Sequence, residues 1–191
     1  MLIAKLILEE INLARTKPAE YAEKILKYKG LFDKNVLKRP PDGKRIGTVE
    51  GPAAYQEAAD FLKKVKPCSP LTASKGLTKI CEDIYNVAQT CDAGAIDSHC
   101  NIQQIILRYG GFDGSFGRLM EFGGETPEHV VISLIVSDGD PSRSQRDQLF
   151  DNNFRVVGLV GGDHPDFKKC TIIALATKFR YKDDPNDVEN Y

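Results

Sequence analysis

Two apolar runs late in the chain constrain its fold more than any other feature. "FRVVGLV" (154–160) and "CTIIALATKF" (170–179) are rich in β-branched residues and are long enough for buried strands. The stretch between them, "GGDHPDFKK", is rich in glycine and other turn-forming residues. The pattern predicts two adjacent strands at the centre of a sheet.

The segments before these strands have the spacing of amphipathic helices. Leu2, Leu6 and Ile7 recur with the period of a helix that Pro18 interrupts, and a further helix is predicted over about 127–136. Pro52 suits the first turn of a helix, and Ser74 suits the N-cap of the next one.

The remaining segments of the central region lack a clear period. Residues 38–52, with three prolines and three glycines, are predicted to form a loop. Residues 110–117, "GGFDGSFG", are interpreted as a glycine-rich break, followed by a short strand around 119–122.

The order of elements predicts the fold class. Helices come first and hydrophobic strands late, without regular βαβ alternation, so we expect an α+β protein whose sheet is covered by helices on its faces. A length of 191 residues suits one domain. We assign that domain to residues 1–180 and interpret 181–191 as a polar C-terminal tail.

Charge and hydropathy exclude some classes of function. A formal net charge of −1 gives no global attraction to nucleic acid, and no apolar run approaches the roughly 20 residues of a membrane span. The N-terminal apolar stretch is broken by Lys5, Glu9 and Glu10, which a signal peptide would not tolerate. Two alternatives stay open: a cytoplasmic protein, or one whose signal preceded this numbering.

The five cysteines are odd in number and show no CxxC spacing, so a zinc ribbon is not expected. Cys81 and Cys91 are predicted to share one helix, where ten residues rise about 15 Å, too far for a disulfide. We therefore expect mostly reduced thiols, with Cys170 buried in its strand.

The histidines give no catalytic pattern by themselves. His129 is predicted to be solvated at an acidic helix start, and His164 to be structural in a turn. His99 lies beside Asp97 and Cys100, but neighbouring residues do not converge on one metal by spacing alone. Ser142 lacks the GxSxG framing of a nucleophilic serine.

Five segments occur in an order that resembles a known family. They are "LILEEINLARTKPAEYA", "GPAAYQEAADFLKK", "PLTASKGLT", "RYGGFDGSFG" and "VVISLIVSDGDPSRSQRDQLFDNNFRVVGLVGG". Together they resemble the CAP superfamily (cysteine-rich secretory proteins, antigen 5 and pathogenesis-related proteins), also called the SCP domain. The resemblance runs from about residue 5 to 180 and implies a three-layer α-β-α sandwich.

The resemblance also implies a cleft in which two histidines and two acidic residues can hold a divalent metal. Their places fall here on His99, Arg118, Asp138 and Gln145. Arginine stays protonated and repels a cation, and glutamine is a poor zinc ligand, so we expect a remnant cleft without metal or other cofactor. Arg118 is expected to neutralise Asp138 within it.

A charged turn is expected to form the lip of this remnant cleft. It includes Ser142 and Arg143, which we count with the four remnant positions as candidate binding residues.

Three functions remain open at this point. The resemblance implies a non-enzymatic module, outside the cell, that binds a lipid, a sterol or a protein partner. The first alternative is a hydrolase or protease that uses His99 with Asp138. The second is a cytoplasmic scaffold with an inactive cleft.

Overall fold

The computed structural model describes residues 2–184 and 186–187. Its helices are α1 Leu2–Thr16, α2 Pro18–Lys29, α3 Pro52–Leu62, α4 Lys75–Ala88, α5 Ile96–His99, α6 Ile102–Tyr109, α7 Pro127–Val136 and α8 Ser144–Leu149. Its strands are β1 Phe32–Asp33, β2 Val36–Arg39, β3 Lys44–Gly47, β4 Thr72–Ala73, β5 Gly110–Phe122, β6 Val156–His164 and β7 Lys168–Tyr181.

The main sheet has the strand order β4-β6-β7-β5, which places the two predicted strands at its centre. β6 and β7 form an antiparallel pair in which Val160 lies opposite Ile172. β5 pairs with the other side of β7 and leaves one edge of the sheet free. The prediction of adjacent, central strands is confirmed.

Helices cover both faces of this sheet because its central strands are apolar on both sides. Side chains of successive strand residues point to opposite faces, so Ile173 and Leu175 enter one core while Ile172 and Ala174 enter the other. α1 and α7 pack on the first face, and α4 and α6 pack on the second. The fold is an α+β, three-layer α-β-α sandwich.

One close contact between layers depends on a glycine. A Cβ atom built on Gly158 of β6 would lie 2.1 Å from the carbonyl carbon of Leu77 and 2.3 Å from the backbone nitrogen of Thr78. Glycine therefore lets the first turn of α4 lie directly against the strand.

The predicted helix starts are also confirmed. Ser74 caps α4, since its hydroxyl accepts a hydrogen bond from the N–H of Leu77 at 3.2 Å. Pro52 occupies the first position of α3, where its missing N–H costs no helical hydrogen bond. Pro18, predicted to interrupt the first helix, lies between α1 and α2 as the first residue of α2.

The proposed tail begins at the last residue of β7. Asp187 lies against the start of α4, and its carboxylate accepts hydrogen bonds from the N–H groups of Lys75 and Gly76. The rest of the proposed tail, residues 185 and 188–191, lies outside the described residues.

Three sequence-based expectations need correction. The region 38–52 is not all loop: β2 and β3 pair in it, with Leu37 opposite Ile46. The stretch 110–117 belongs to β5, which accommodates its glycines with an irregularity between Asp113 and Phe116. Cys91 lies beyond the end of α4, so it does not share a helix with Cys81; all five thiols are free.

Within the described residues, no helix has the length and hydropathy needed to cross a membrane.

Candidate binding cleft

A cleft of about 480 Å³ opens between the small sheet β1–β3, the end of β5 and helix α7. We call it the β5–α7 cleft. Its lining mixes apolar and polar side chains, mainly Leu37, Ile46, Phe122, Ile132, Val136 and Phe167 on the apolar side, and Arg39, Glu121, His129, Ser133, Asp138 and Gln145 on the polar side.

The apolar walls follow from the register of the local elements. Leu37 and Ile46 are paired across β2 and β3, so their side chains share one face of the small sheet. Ile132 and Val136 are four residues apart on α7 and therefore share one face of the helix. These four residues belong to the apolar lining of the cleft, and three of them, Leu37, Ile132 and Val136, are at most 3% exposed.

Glu121 is the buried acid at the floor of the cleft. Its exposed fraction is only 5%, and burial raises its pKa to about 7. Three weaker influences oppose that rise: the Gly124 N–H, which donates to Oε2 at 3.1 Å, the Ser133 hydroxyl, and the charge of Arg39. Burial therefore favours the protonated, uncharged carboxyl group far more than at an exposed glutamate.

Arg39 brings a guanidinium group to the same floor. Nη1 donates to the carbonyl oxygen of Gly123 at 3.0 Å, and Nη2 donates to Glu125 at 2.9 Å. Lys44 also donates to Glu125 at 2.9 Å, so this carboxylate holds two cations of the small sheet against the end of β5.

His129 lies in the first turn of α7 and is 6% exposed, so the expectation of a solvated side chain is wrong. The connection between β2 and β3 covers it: its Nε2 donates to the carbonyl oxygen of Pro40 at 2.7 Å. Burial lowers the pKa of the ring, which favours the neutral imidazole.

Asp138 and Gln145, two of the residues predicted from sequence, line the β5–α7 cleft. Both oxygens of Asp138 accept backbone hydrogen bonds, from Val49 N–H at 2.6 Å and Glu50 N–H at 2.8 Å. The Gln145 Oε1 accepts from the N–H of Met120 at 3.0 Å. Both side chains therefore already accept hydrogen bonds from backbone N–H groups of the protein.

Hydrogen bonds and an ion pair within the protein hold the charged lip in place. The hydroxyl of Ser142 donates to Asp140 at 2.6 Å. The guanidinium of Arg143 forms a bidentate pair with Glu50 at 2.7 and 2.6 Å, and it also donates to the carbonyl oxygen of Ser137 at 2.7 Å. These bonds connect the lip to the segment just before α3. Arg143 is therefore used to hold the lip in place.

Arg118 and His99 lie elsewhere. Arg118 forms an ion pair with Asp97 of α5, so the expected pairing of Arg118 with Asp138 is wrong. Strand alternation explains the difference, because the side chain of Arg118 leaves β5 on the face opposite to that of Glu121. His99 is exposed, with Nδ1 2.9 Å from the Ala95 carbonyl oxygen, and it lines a separate shallow depression with Asp92 and Pro165.

This distribution does not fit the four-ligand site that the resemblance implies. The structure brings Asp138 and Gln145 to one cleft and places Arg118 next to α5, which ends at His99. In residues 2–184 and 186–187, no three His, Cys, Asp or Glu side chains are grouped so that they could hold a metal ion.

Sequence reasoning missed Arg39, Glu121 and His129. One signal for Glu121 was available: in "RLMEF" it stands two residues after Leu119 and therefore on the same, core-facing side of the strand. A carboxyl group at a core-facing strand position indicates a special environment. Nothing comparable marks Arg39, because its burial depends on the hairpin β2–β3, where the sequence predicts a loop.

Comparisons with known proteins establish no family for this chain. No family profile matches it, and no curated protein matches it. Among solved structures, the chain is similar to a cysteine-rich secretory protein from Staphylococcus aureus, with 12% identity and a TM-score of 0.37. The match covers 66% of this chain and 38% of that protein. At this level it establishes neither a relationship nor an activity.

Proposed function

We propose that this chain is a non-enzymatic binding module of the CAP type, and that its β5–α7 cleft takes a small apolar ligand, a lipid or a sterol. The observation that carries the proposal is the cleft itself. Leu37, Ile46, Ile132 and Val136 belong to its apolar lining, and polar side chains such as Arg39, Glu121 and His129 line it as well. Its volume of about 480 Å³ lies within the range of about 300–1,000 Å³ usual for small-molecule sites.

The placement of the candidate catalytic groups favours binding over hydrolysis. A residual hydrolase would need His99 and Asp138 within hydrogen-bonding reach of one substrate, but they line two different depressions. Asp138 also accepts two backbone hydrogen bonds, which hold its carboxylate in a structural position. An extracellular location, which the family resemblance implies, belongs to the same proposal.

A pair of matched variants tests the cleft. Ser133 is exposed on α7 and lines the cleft, so Ser133→Phe adds bulk to the cleft; it also removes the hydroxyl that bonds to Glu121. Gln103 is exposed on α6, across the sheet, so Gln103→Phe adds the same side chain elsewhere. The probes are cis-parinaric acid, a fluorescent fatty acid, and dehydroergosterol, a fluorescent sterol.

We expect at least one probe to bind the parent and the Gln103→Phe variant, and to bind the Ser133→Phe variant at least about tenfold more weakly. The fluorescence titration contradicts the proposal if neither probe binds the parent. It also contradicts the proposal if both variants bind like the parent, since the ligand would then lie outside the cleft.

A further inference from the structure

The two ends of the β5–α7 cleft carry opposite charge. β3 runs along one side of the cleft: Lys44 begins this strand, Ile46 lies within it and Thr48 follows its last residue, and all three line the cleft. At about 3.3 Å per residue, the Lys44 end and the Thr48 end are roughly 13 Å apart. Asp138 belongs to the Thr48 end, because its carboxylate accepts a hydrogen bond from the N–H of Val49.

The Lys44 end has an excess of positive charge. Arg39 and Lys44 both donate to the carboxylate of Glu125, at 2.9 Å each. Lys168 is also close enough to lower the pKa of Glu125. Asp42 adds a second carboxylate, which accepts a hydrogen bond from the N–H of Lys44 at 3.0 Å. These three cations therefore outnumber these two carboxylates.

Lys44 also has hydrogen-bond donors left for a ligand. An ammonium group carries three N–H donors, and in the described part of the chain the Nζ of Lys44 bonds only to Glu125. The Lys44 side chain is 36% exposed, so a molecule in the cleft can reach it. Glu121 contributes little opposing charge, since burial favours its uncharged form.

The Asp138 end has an excess of negative charge. Asp138 and Asp140 both line the cleft, and they accept hydrogen bonds from uncharged donors, namely backbone N–H groups and the hydroxyl of Ser142. Such bonds leave the charge of both carboxylates in place. Arg143 lies nearby, but its guanidinium forms its bidentate pair with Glu50.

From this polarity we infer that the cleft takes an amphiphile with an anionic head group, bound with its head at Lys44 and its apolar chain along Leu37 and Ile46. At the opposite end the same head group would stand beside Asp138 and Asp140. A cationic head group has no equivalent place, because both oxygens of Asp138 already accept hydrogen bonds, whereas Lys44 keeps two free donors. This inference rests on the proposed function, since it specifies the head group of the ligand for the same cleft.

Four probes with the same eight-carbon chain test the inference on the parent protein: octanoate, octyl phosphate, 1-octanol and octylammonium. NMR titration at neutral pH measures each affinity and shows which residues of the cleft are perturbed. We expect octanoate to bind at least about fivefold more tightly than octylammonium, with octanol between them, because the Lys44 end attracts one charge and repels the other. Octyl phosphate should share the preference, and its affinity relative to octanoate distinguishes a phosphate from a carboxylate head group.

Lys44→Gln tests whether this cation recognises the head group. We expect the variant to lose the preference for octanoate over octylammonium, while an unchanged affinity for octanol shows that the cleft is intact. Lys178→Gln is the control with the same change in net charge. Lys178 is exposed on β7, eight residues beyond Cys170, which pairs with Phe122. At about 3.3 Å per residue it lies roughly 26 Å from that end of the cleft, so its replacement should leave the preference unchanged.

The outcomes separate this inference from the proposed function. If octylammonium binds the parent as tightly as octanoate, the inference is wrong, and binding of octanol leaves the proposed function intact. Equal loss of the preference in the two lysine variants also overturns the inference, because the preference would then reflect only the net charge of the protein. If no probe binds the parent, the inference and the proposed function both fail.

Discussion

The side chain of Gln145 closes the free edge of the main sheet at Met120. Its Oε1 accepts the outward-facing N–H of Met120 at 3.0 Å, and the Oε1 of Gln148 accepts that of Arg118 at 3.1 Å. Two glutamines on α8 thus pair with alternate residues of the edge strand β5. An edge strand with unpaired backbone groups invites association with other chains, so α8 protects the sheet.

We expect Gln145→Ala and Gln148→Ala each to lower the free energy of unfolding by about 1 kcal/mol, because each leaves one N–H of β5 without its side-chain partner. Urea unfolding of the two variants measures the loss. Gln103→Ala, an exposed change on α6, is the control and should stay within about 0.5 kcal/mol of the parent. Losses no larger than that of the control would show that water replaces the glutamines without cost.

The core elements could be predicted from sequence because their signals are local. The β-branched runs of β6 and β7 have the composition of strands, and Ser74 has the side chain of an N-cap at the right place. The hairpin β2–β3 carries no such signal, since "LKRPPDGKRIG" is charged and contains two prolines. Contacts distant in sequence hold it, including the pair between Arg39 and Glu125.

The site was harder to predict for the same reason. Asp138 and Gln145 come from one short segment, so their common cleft follows from their proximity in the chain. The partner of Arg118 is Asp97, and the choice between Asp97 and Asp138 depends on which face of β5 the side chain leaves. That face is set by the register of β5 on β7, where Arg118 lies opposite Ala174, and this register is not readable from residue types.

Zinc should not raise the melting temperature of this protein at neutral pH. Asp138 is engaged by two backbone N–H groups, and His99 lines a different depression. A ligand at a hundredfold its dissociation constant would add about 2.7 kcal/mol of stability, which calorimetry detects easily. His99→Ala is the companion variant. A zinc-dependent rise that disappears in this variant would contradict the prediction.

Gly158→Ala should destabilise the protein severely, by about 3 kcal/mol or more, because the added Cβ would meet the backbone of Leu77 in α4. Neither strand nor helix can yield there without separating two layers of the fold. Gly161→Ala on the same strand is the matched control, since its Cβ would find its nearest neighbour, the hydroxyl of Thr171, at 3.5 Å. Soluble yield and urea unfolding compare the two. Equal stability of both variants would contradict the close packing of α4 on β6.

Glu121 should make the protein less stable as the pH rises from about 5 to 8. Burial raises its pKa from 4.5 to about 7, so between these values the folded state retains a proton that the unfolded chain has released. The stability contributed by protonated Glu121 is fully present below pH 4.5, the pKa in the unfolded chain. It is lost as the pH rises through about 7, the pKa in the folded protein. Its full size corresponds to about 3 kcal/mol.

Glu121→Gln isolates this contribution, because the amide stays uncharged at every pH. We expect the variant to match the parent near pH 5 and to exceed its stability by up to about 3 kcal/mol at pH 8. The lowered pKa of His129 acts in the opposite direction in both proteins, so it cancels from their difference.

Glu125→Gln is the control. Lys44 lowers the pKa of the Glu125 carboxyl, so Glu125 titrates below this pH window and its replacement should leave the parent's pH dependence unchanged. Urea unfolding at several pH values decides the matter, and parallel curves for the parent and Glu121→Gln would mean that Glu121 is ionised in the folded protein throughout.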